Sequence, residues 1–224
     1  MDIKLEDLSS SKIENEYVLK VYEQIASHFD STRYLIWPKI REYVSQIPAG
    51  NLIVEVGCGN GKNLCYNKGC YHLGIDICSS MINICSSKST GEFCLANNLN
   101  LPLRTNTFDH VLSIAVLHHF SSIERRVKAL KELIRITKRG GAILIYVWSY
   151  EANEHKYKDQ DAFVKWELQK KHQLKISTEG PPIFYRYYHF FKKGEIEELV
   201  SSIGETIVNS GFDHENWFYI IRKK

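Results

Sequence analysis

No apolar run in this chain approaches the roughly 20 residues that a membrane span requires, so the sequence offers no candidate span. Close cysteine pairs are missing too. All six cysteines (Cys58, Cys65, Cys70, Cys78, Cys85, Cys94) fall within 37 residues, yet none forms a C-x-x-C. Structural zinc takes ligands in pairs at short spacing, so no metal site is expected and the thiols read as free and mostly core. The start, MDIKLEDLSSSKIENEY, is acidic and polar and lacks the features of a secretory or transit peptide. Disulfides are therefore unexpected, and a cytoplasmic location is the expectation. A large surplus of charge is also absent. A net charge of +3 does not by itself argue for nucleic acid. The basic stretches KYKDQDAFVKWELQKKHQLK and IRKK, each taken alone, read as solvated surface.

What is present suits one α/β domain: 224 residues, 44% apolar and 25% charged. Val18, Val21, Tyr22, Ile25 and Phe29 recur at helical spacing and predict a helix over 15–29. STRYLIWP interrupts it, and a second helix runs from Pro38 to about Gln46. Strands are expected at 51–56, 71–77, 92–96, 108–115 and 142–148, with a helix starting at Ser79. Ile123, Val127, Leu130 and Ile134 mark another helix, which Gly140-Gly141 should stop. Residues 149–190 carry no clean period, hold Pro181-Pro182 and read as an insertion. A helix at 194–203 and strands near 205–210 and 216–222 complete the pattern. Strands alternating with helices imply a mostly parallel sheet.

The most informative stretch is LIVEVGCGNGKN, residues 52–63. A P-loop fails twice: its first glycine would fall on Val56, and Lys62 is followed by Asn63, not a hydroxyl residue. A dinucleotide loop would need glycine where Lys62 stands. What remains is E-x-G-x-G-x-G, with Glu55, Gly57, Gly59 and Gly61. Such glycines let the chain pass beneath a ligand that has no phosphate. Asp76, 15 residues past Gly61, could accept both hydroxyls of a ribose. An adenosine without phosphates, joined to an amino acid, is S-adenosylmethionine, with Glu55 and the loop amides near the amino-acid end.

Over about residues 45–222 the chain resembles class I S-adenosylmethionine-dependent methyltransferases. More narrowly, it is similar to the tRNA methyltransferases that esterify 5-carboxymethyluridine at the anticodon wobble position. VYEQIASHFDSTRYLIWP, VEVGCGNGKNL, NLNLPLRTNTFDHVLSIAVLHHFSSIERRVKAL, IYVW and FYRYYHFFKKGEIEELV carry the likeness. The resemblance implies a Rossmann-like class I methyltransferase fold: a single domain with a seven-stranded, mostly parallel sheet flanked by helices. Residues 15–47 would form a helical lid and 149–190 a substrate-side insertion. One departure stands out: Asn97, in NNLNLP, replaces the aspartate of the usual DALNLP, which meets the adenine amino group. Asn97 keeps a carbonyl acceptor for that group and adds an amide donor.

Sites in this fold lie beyond the carboxyl ends of the strands, which selects Ala115 to His119, with Ala115 beside the cofactor, and Trp148. Arg33 lies between the two N-terminal helices. Arg186 stands among Tyr185, Tyr187, Tyr188 and His189; such a cluster suits a nucleotide, the alternative being an aromatic strand or loop packed in the core. Arg33 and Arg186 are expected to orient a carboxylate or nearby phosphate, and His118, Trp148 and Tyr187 to frame the base. Two alternatives remain: a methyltransferase for a small molecule, and a non-catalytic binding member of the fold. The resemblance also implies a small zinc-binding activator protein as heterodimer partner.

Overall fold

Runs such as IVEV at 53–56 and AILIYV at 142–147 are buried along their whole length, as strands must be when helices cover both faces of a parallel sheet. The protein is described here as a computed structural model covering residues 8–64, 66–88, 91–168 and 183–224. Strands β1 (Leu52–Val56), β2 (Tyr71–Asp76), β3 (Glu92–Leu95), β4 (Phe108–Ile114) and β5 (Thr137–Trp148) pair in parallel. Two further strands, β8 (Thr206–Asp213) and β9 (Asn216–Arg222), follow a separate pair, β6 (Asp161–Trp166) and β7 (Phe184–His189), in the chain and extend the sheet antiparallel beyond β5. The order is β3-β2-β1-β4-β5-β9-β8. The chain winds one way from β1 and the other way from β4, which opens a crevice beyond their carboxyl ends.

Helices α5 (Ile123–Ile136) and α6 (Glu195–Ser202) bury Leu130, Leu133, Ile196 and Val200 against one face of the sheet. Helix α3 (Pro38–Ser45) buries Ile40 and Val44 against Ile53, Leu112 and Leu144 on the other. Helix α4 (Ser79–Lys88) follows β2. Among the described residues no helix is long and apolar enough to cross a membrane.

Three expectations need correction. The first helix is longer than 15–29: α1 (Ser10–Glu14) passes through a π-helical segment at Asn15–Leu19 into α2 (Lys20–Thr32). Helix α5 ends at Ile136 rather than at the glycine pair, because Thr137 is already extended (ψ 138°). Its hydroxyl donates to Leu133 O at 2.7 Å. Gly140 (φ +74°) and Gly141 instead sit inside β5, opposite a register shift in β4, and a Cβ on Gly141 would lie 2.9 Å from Asp109 O. The glycines mark a bulge. Finally, the segment 149–190 is not aperiodic. It holds β6 (Asp161–Trp166) and β7 (Phe184–His189), an antiparallel pair outside the main sheet; Pro181-Pro182 lies outside the described residues.

A buried imidazole fastens this small sheet. His189 faces Asp161 Oδ1 at 2.9 Å and Glu195 Oε1 at 2.7 Å, and Tyr187 Oη also donates to Asp161. Burial works to lower the His189 pKa, but its hydrogen bonds to Asp161 and Glu195 outweigh that and raise it above 6.5. Both carboxyls move down, with His189 overcoming the effect of their burial. Because the histidine pKa is raised, its contribution is complete below pH 6.5 and lost as the pH climbs through the folded value; the carboxylates lose theirs in acid. At pH 6, His189→Asn should lower the Tm by about 2–6 °C, discounting the half-exposed Asp161. In thermal scans from pH 6 to 9 the gap to wild type should narrow above pH 7; a constant gap would mean that the imidazolium is not the source.

Candidate active site

Beyond β1 the chain turns through Gly57 (φ +82°) and Gly59 (φ +53°). Gly57 is obligatory, since a Cβ there would meet Val116 Cγ2 at 2.3 Å, so the loops after β1 and β4 touch. Gly57 and Cys58 N–H donate to Ile75 O at 2.7 and 2.9 Å. Asp76 ties the same turn to the next loop: Gly59 N–H donates to Oδ2 at 2.8 Å and Cys78 N–H to Oδ1 at 2.9 Å. Burial pushes this carboxyl pKa up while those two N–H groups pull it back. Each oxygen keeps a lone pair, and the group lines a cleft of about 410 Å³.

Glu55 forms the floor. Oε1 accepts from Asn63 Nδ2 at 2.6 Å, whereas Oε2 is buried with no partner among the described residues. Burial pushes its pKa up to about 8. Ala115, at the end of β4, holds φ +61°, uncommon for a residue with a side chain. Asn97 is exposed, and its Oδ1 accepts from Leu99 N–H at 2.8 Å, so part of its acceptor capacity is spent within its own turn. Its neighbour Asn98 is buried, lines the cleft and has an unpartnered Nδ2.

The N-terminal helix forms one wall with Asn15, Val18 and Leu19 from the π-helical segment, a geometry frequent at functional sites. It is tied down along its length. Glu14 takes Arg125 Nε at 2.7 Å and Nη2 at 2.6 Å. Glu23 accepts the N–H groups of Ser79 (2.6 Å) and Ser80 (3.0 Å), satisfying orphan donors at the start of α4. Asp30 accepts from Asn60 Nδ2 at 3.0 Å in the glycine loop and pairs with Lys88.

The opposite wall is aromatic. Tyr188 lies 4.6 Å from the Trp148 ring and 4.8 Å from His118. His118 is buried, and its Nδ1 accepts from Trp148 N–H at 3.3 Å, which leaves Nε2 as the protonated donor. Burial first, then the neighbouring His119 ring and the Arg186 guanidinium, which disfavour a second cation here, lower its pKa well below 6.5. His119 donates from Nδ1 to Tyr187 O at 2.9 Å and takes the Tyr22 hydroxyl on Nε2 at 3.1 Å; burial lowers its pKa to about 3. Both imidazoles are therefore neutral through the physiological range.

Arg186 is only 5% exposed. Its Nη1 donates to Tyr188 Oη at 2.7 Å and Tyr22 Oη at 3.3 Å, and its guanidinium lies 4.4 Å from the Trp166 ring centre. Among the described residues it pairs with no carboxylate, and its Nε has no partner. Arg33 is exposed and lies 5.4 Å from the same Trp166 ring.

Ten of the expected residues thus share one cleft: Arg33, Glu55, Gly57, Gly59, Asp76, Asn97, Ala115, His118, Trp148 and Arg186. Two do not. Gly61 (φ +73°) packs the loop against α4, where a Cβ would stand 3.0 Å from Cys85 Sγ. Tyr187 lies on the opposite face of β7 from Arg186, by strand alternation; its hydroxyl is held by Asp161, and Tyr188 takes its place in the wall. The sequence reading also missed Tyr22 and Asn98. The described cysteines are free, and Cys58 and Cys78 line the cleft.

A methyltransferase domain model matches residues 54–145. The tRNA (carboxymethyluridine(34)-5-O)-methyltransferase of Schizosaccharomyces pombe is 38% identical, over 94% of this chain and 97% of that protein. The chain belongs to this family. The Xenopus tropicalis tRNA (carboxymethyluridine(34)-5-O)-methyltransferase alkbh8 is 35% identical over 97% of this chain, which spans only 42% of that longer protein. Among solved structures, a chain from a complex between the Haloferax volcanii Trm112 methyltransferase activator and a methyltransferase matches with a TM-score of 0.66. That match covers 92% of this chain and 97% of the other at 14% identity, a likeness of fold.

The residues fit S-adenosylmethionine as this family's methyl donor. The orphaned Glu55 Oε2 suits an ammonium, the Gly57 and Gly59 turn leaves room for close approach, and Asp76 has lone pairs for ribose hydroxyls. With a folded pKa near 8, Glu55 is protonated in the free protein at pH 7; an adjacent ammonium favours the carboxylate. Binding S-adenosylhomocysteine at pH 7 should therefore release close to one proton, and affinity should rise from pH 6 to 8. Calorimetry in two buffers of different ionisation enthalpy measures this. Glu55→Gln should abolish the release; if release persists in that variant, another group carries the proton.

Proposed function

We propose that this chain is a cytoplasmic tRNA methyltransferase that transfers a methyl group from S-adenosylmethionine to the carboxylate of 5-carboxymethyluridine at the anticodon wobble position, forming the methyl ester. The observation that carries this reading is Arg186: a buried cation in the cleft wall, enclosed by Tyr22, Trp166 and Tyr188 and without a carboxylate among the described residues. A buried charge needs a counter-charge or strong hydrogen bonds, and the acceptor's carboxylate supplies one. In this reading residues 15–47 act as the lid and 149–190 as the substrate side of a single domain.

When bound, S-adenosylmethionine supplies a methyl group activated on a sulfonium sulfur. Glu55, the Gly57–Gly59 turn, Asp76, Ala115 and the Asn97-Asn98 pair would hold it. Arg186 would take one carboxylate oxygen and leave the other free to attack; Arg33 takes a nearby phosphate. His118 offers its Nε2–H as a neutral donor, and Trp148 and Tyr188 frame the base. The acceptor is already ionised at neutral pH, so a general base is unnecessary. That agrees with two histidines whose pKa values lie far below 7. The main contribution of the protein is placement.

The test is a single-turnover measurement at saturating cofactor and tRNA, with the product nucleoside identified as an ester cleaved by mild alkali. The rate should be flat within about twofold from pH 6 to 9, because with the cofactor already bound the methyl-transfer step itself removes no proton. His118→Ala should lower the rate without adding a pH step. Arg186→Lys should lower it on the order of 100-fold, since a point charge replaces the planar fork. A rate rising tenfold per pH unit through neutrality, and abolished in a histidine variant, would mean a general base and a different acceptor.

A small zinc-binding activator protein is part of the same reading. The Haloferax volcanii structure joins a methyltransferase of this fold to the Trm112 methyltransferase activator. In this chain β3 and β8 end the main sheet, with Tyr71 and Leu95 exposed near one edge and Val208 and Phe212 at the other. Open strand edges and apolar surface favour a covering partner. Co-expression with the activator should raise soluble yield and methylation of bulk tRNA severalfold; full activity of the purified chain as a monomer would argue against the partner.

A further inference from the structure

Arg33 and Arg186 line two clefts at once. The second cleft, about 690 Å³, runs from the last turn of α2 to β6, between Ser31, Thr32 and Tyr34 on one side and Lys165, Trp166 and Glu167 on the other. Its rim is exposed. Three cations (Arg33, Lys165, Arg186) face a single carboxylate, Glu167, which pairs with Lys165 at 2.8 Å in full contact with solvent. Such a pair is readily exchanged for a phosphate. The carbonyl end of α2 would repel an anion, but Arg33 Nη1 caps it by donating to Thr32 O at 3.1 Å. Tyr34 is 68% exposed beside these cations, and Leu35 69%. The two arginines share the Trp166 ring, at 5.4 and 4.4 Å from its centre, so the clefts meet at a pair of cations held on one aromatic ring.

A groove that combines cations with an exposed aromatic ring suits single-stranded nucleic acid, whose phosphates follow the charge and whose bases stack. We infer that the second cleft binds the nucleotide next to the methylated uridine in the same strand. Arg33, at the boundary between the clefts, takes the phosphodiester that joins the two nucleotides. Lys165 takes the outer phosphate, and Tyr34 stacks the neighbouring base. The inference rests on the proposed RNA acceptor and divides the labour of the two arginines: the buried one holds the carboxylate, the exposed one the backbone.

The experiment compares wild-type KM for 5-carboxymethyluridine nucleoside, for dinucleotides carrying a neighbour on the 5′ or the 3′ side, and for an anticodon stem-loop. One dinucleotide should show a KM about tenfold below that of the nucleoside, the scale of one base–aromatic stack. Tyr34→Ala and Lys165→Gln should each raise KM for the stem-loop about five- to tenfold, with the effect on kcat much smaller. Both should keep wild-type affinity for S-adenosylhomocysteine as a check on folding. Lys165→Gln should reduce the slope of log affinity against log salt by about 0.7, the loss of one single-strand phosphate contact, and Glu167→Gln should lower KM. Equal KM for the nucleoside and both dinucleotides, or variants that match wild type on the stem-loop, would overturn the second cleft while leaving the acceptor assignment intact. No ester on the stem-loop with wild-type enzyme would overturn both.

Discussion

A guanidinium buried without a counter-ion is costly, and the substrate side of this molecule is organised around one. Arg186 comes from β7, Trp166 beneath it from β6, Tyr22 from α2, and Tyr188 from two residues further along β7. Tyr22 extends the arrangement to the loop after β4, since its hydroxyl also reaches His119 Nε2. Because His119 Nδ1 donates to the Tyr187 carbonyl, its Nε2 must accept, so the Tyr22 proton points to the histidine and its lone pairs turn to the arginine. Hydroxyl dipoles and ring faces stabilise the cation in part. The unpartnered Nε, however, leaves it short of a full set of acceptors.

Several other ionisable groups of the cleft are held uncharged, although Arg33, Lys62 and the Glu14–Arg125 pair also line it. Burial holds His118 and His119 neutral and keeps the Tyr188 hydroxyl protonated. Glu55, with a pKa of about 8, is uncharged at pH 7 until something cationic approaches. Asp76 is different: two backbone N–H groups offset part of the effect of its burial. The cleft thus holds the buried cation Arg186 and two acidic groups, Glu55 and Asp76, with Lys62 near Glu55.

Much of this was legible in the amino-acid order, and what was not has identifiable causes. Eliminating the P-loop and dinucleotide patterns left one cofactor, and Glu55, Gly57, Gly59 and Asp76 do line the cleft. The pattern could not say which glycines face a ligand and which face a helix, so Gly61 looked equivalent to its neighbours although it serves α4 packing. Tyr187 and Tyr188 are adjacent and chemically alike; choosing between them needs the pleat of β7, and aromatic residues on both of its faces hide that alternation. The same masking hid β6 and β7 inside a stretch that read as aperiodic. Gly140-Gly141 looked like a helix stop because a glycine pair signals a helix end and a strand bulge equally well. Tyr22 had the spacing of a core residue, and only the tertiary arrangement shows that its hydroxyl serves Arg186.

The N-terminal helix explains why the two halves of the site belong to one device. Along a single stretch of α2, Tyr22 supports the acceptor-side arginine, and Glu23 caps the start of α4 three residues after Asp76. Asp30 holds Asn60 in the glycine loop, and Arg33 enters the second cleft. These contacts leave the helix on different sides and end in three separate strand-end loops. A shift of the helix large enough to open the donor side would therefore move Tyr22 away from Arg186 and Arg33 away from Trp166 at the same time. Rigid elements transmit displacement in this way, so the contacts this helix makes to Arg186 and to the glycine loop are held or lost together. The π-helical segment at Asn15–Leu19 lies where this helix crosses the mouth of the cleft. Glu14 reaches Arg125 just before this segment, and Tyr22 reaches Arg186 just after it.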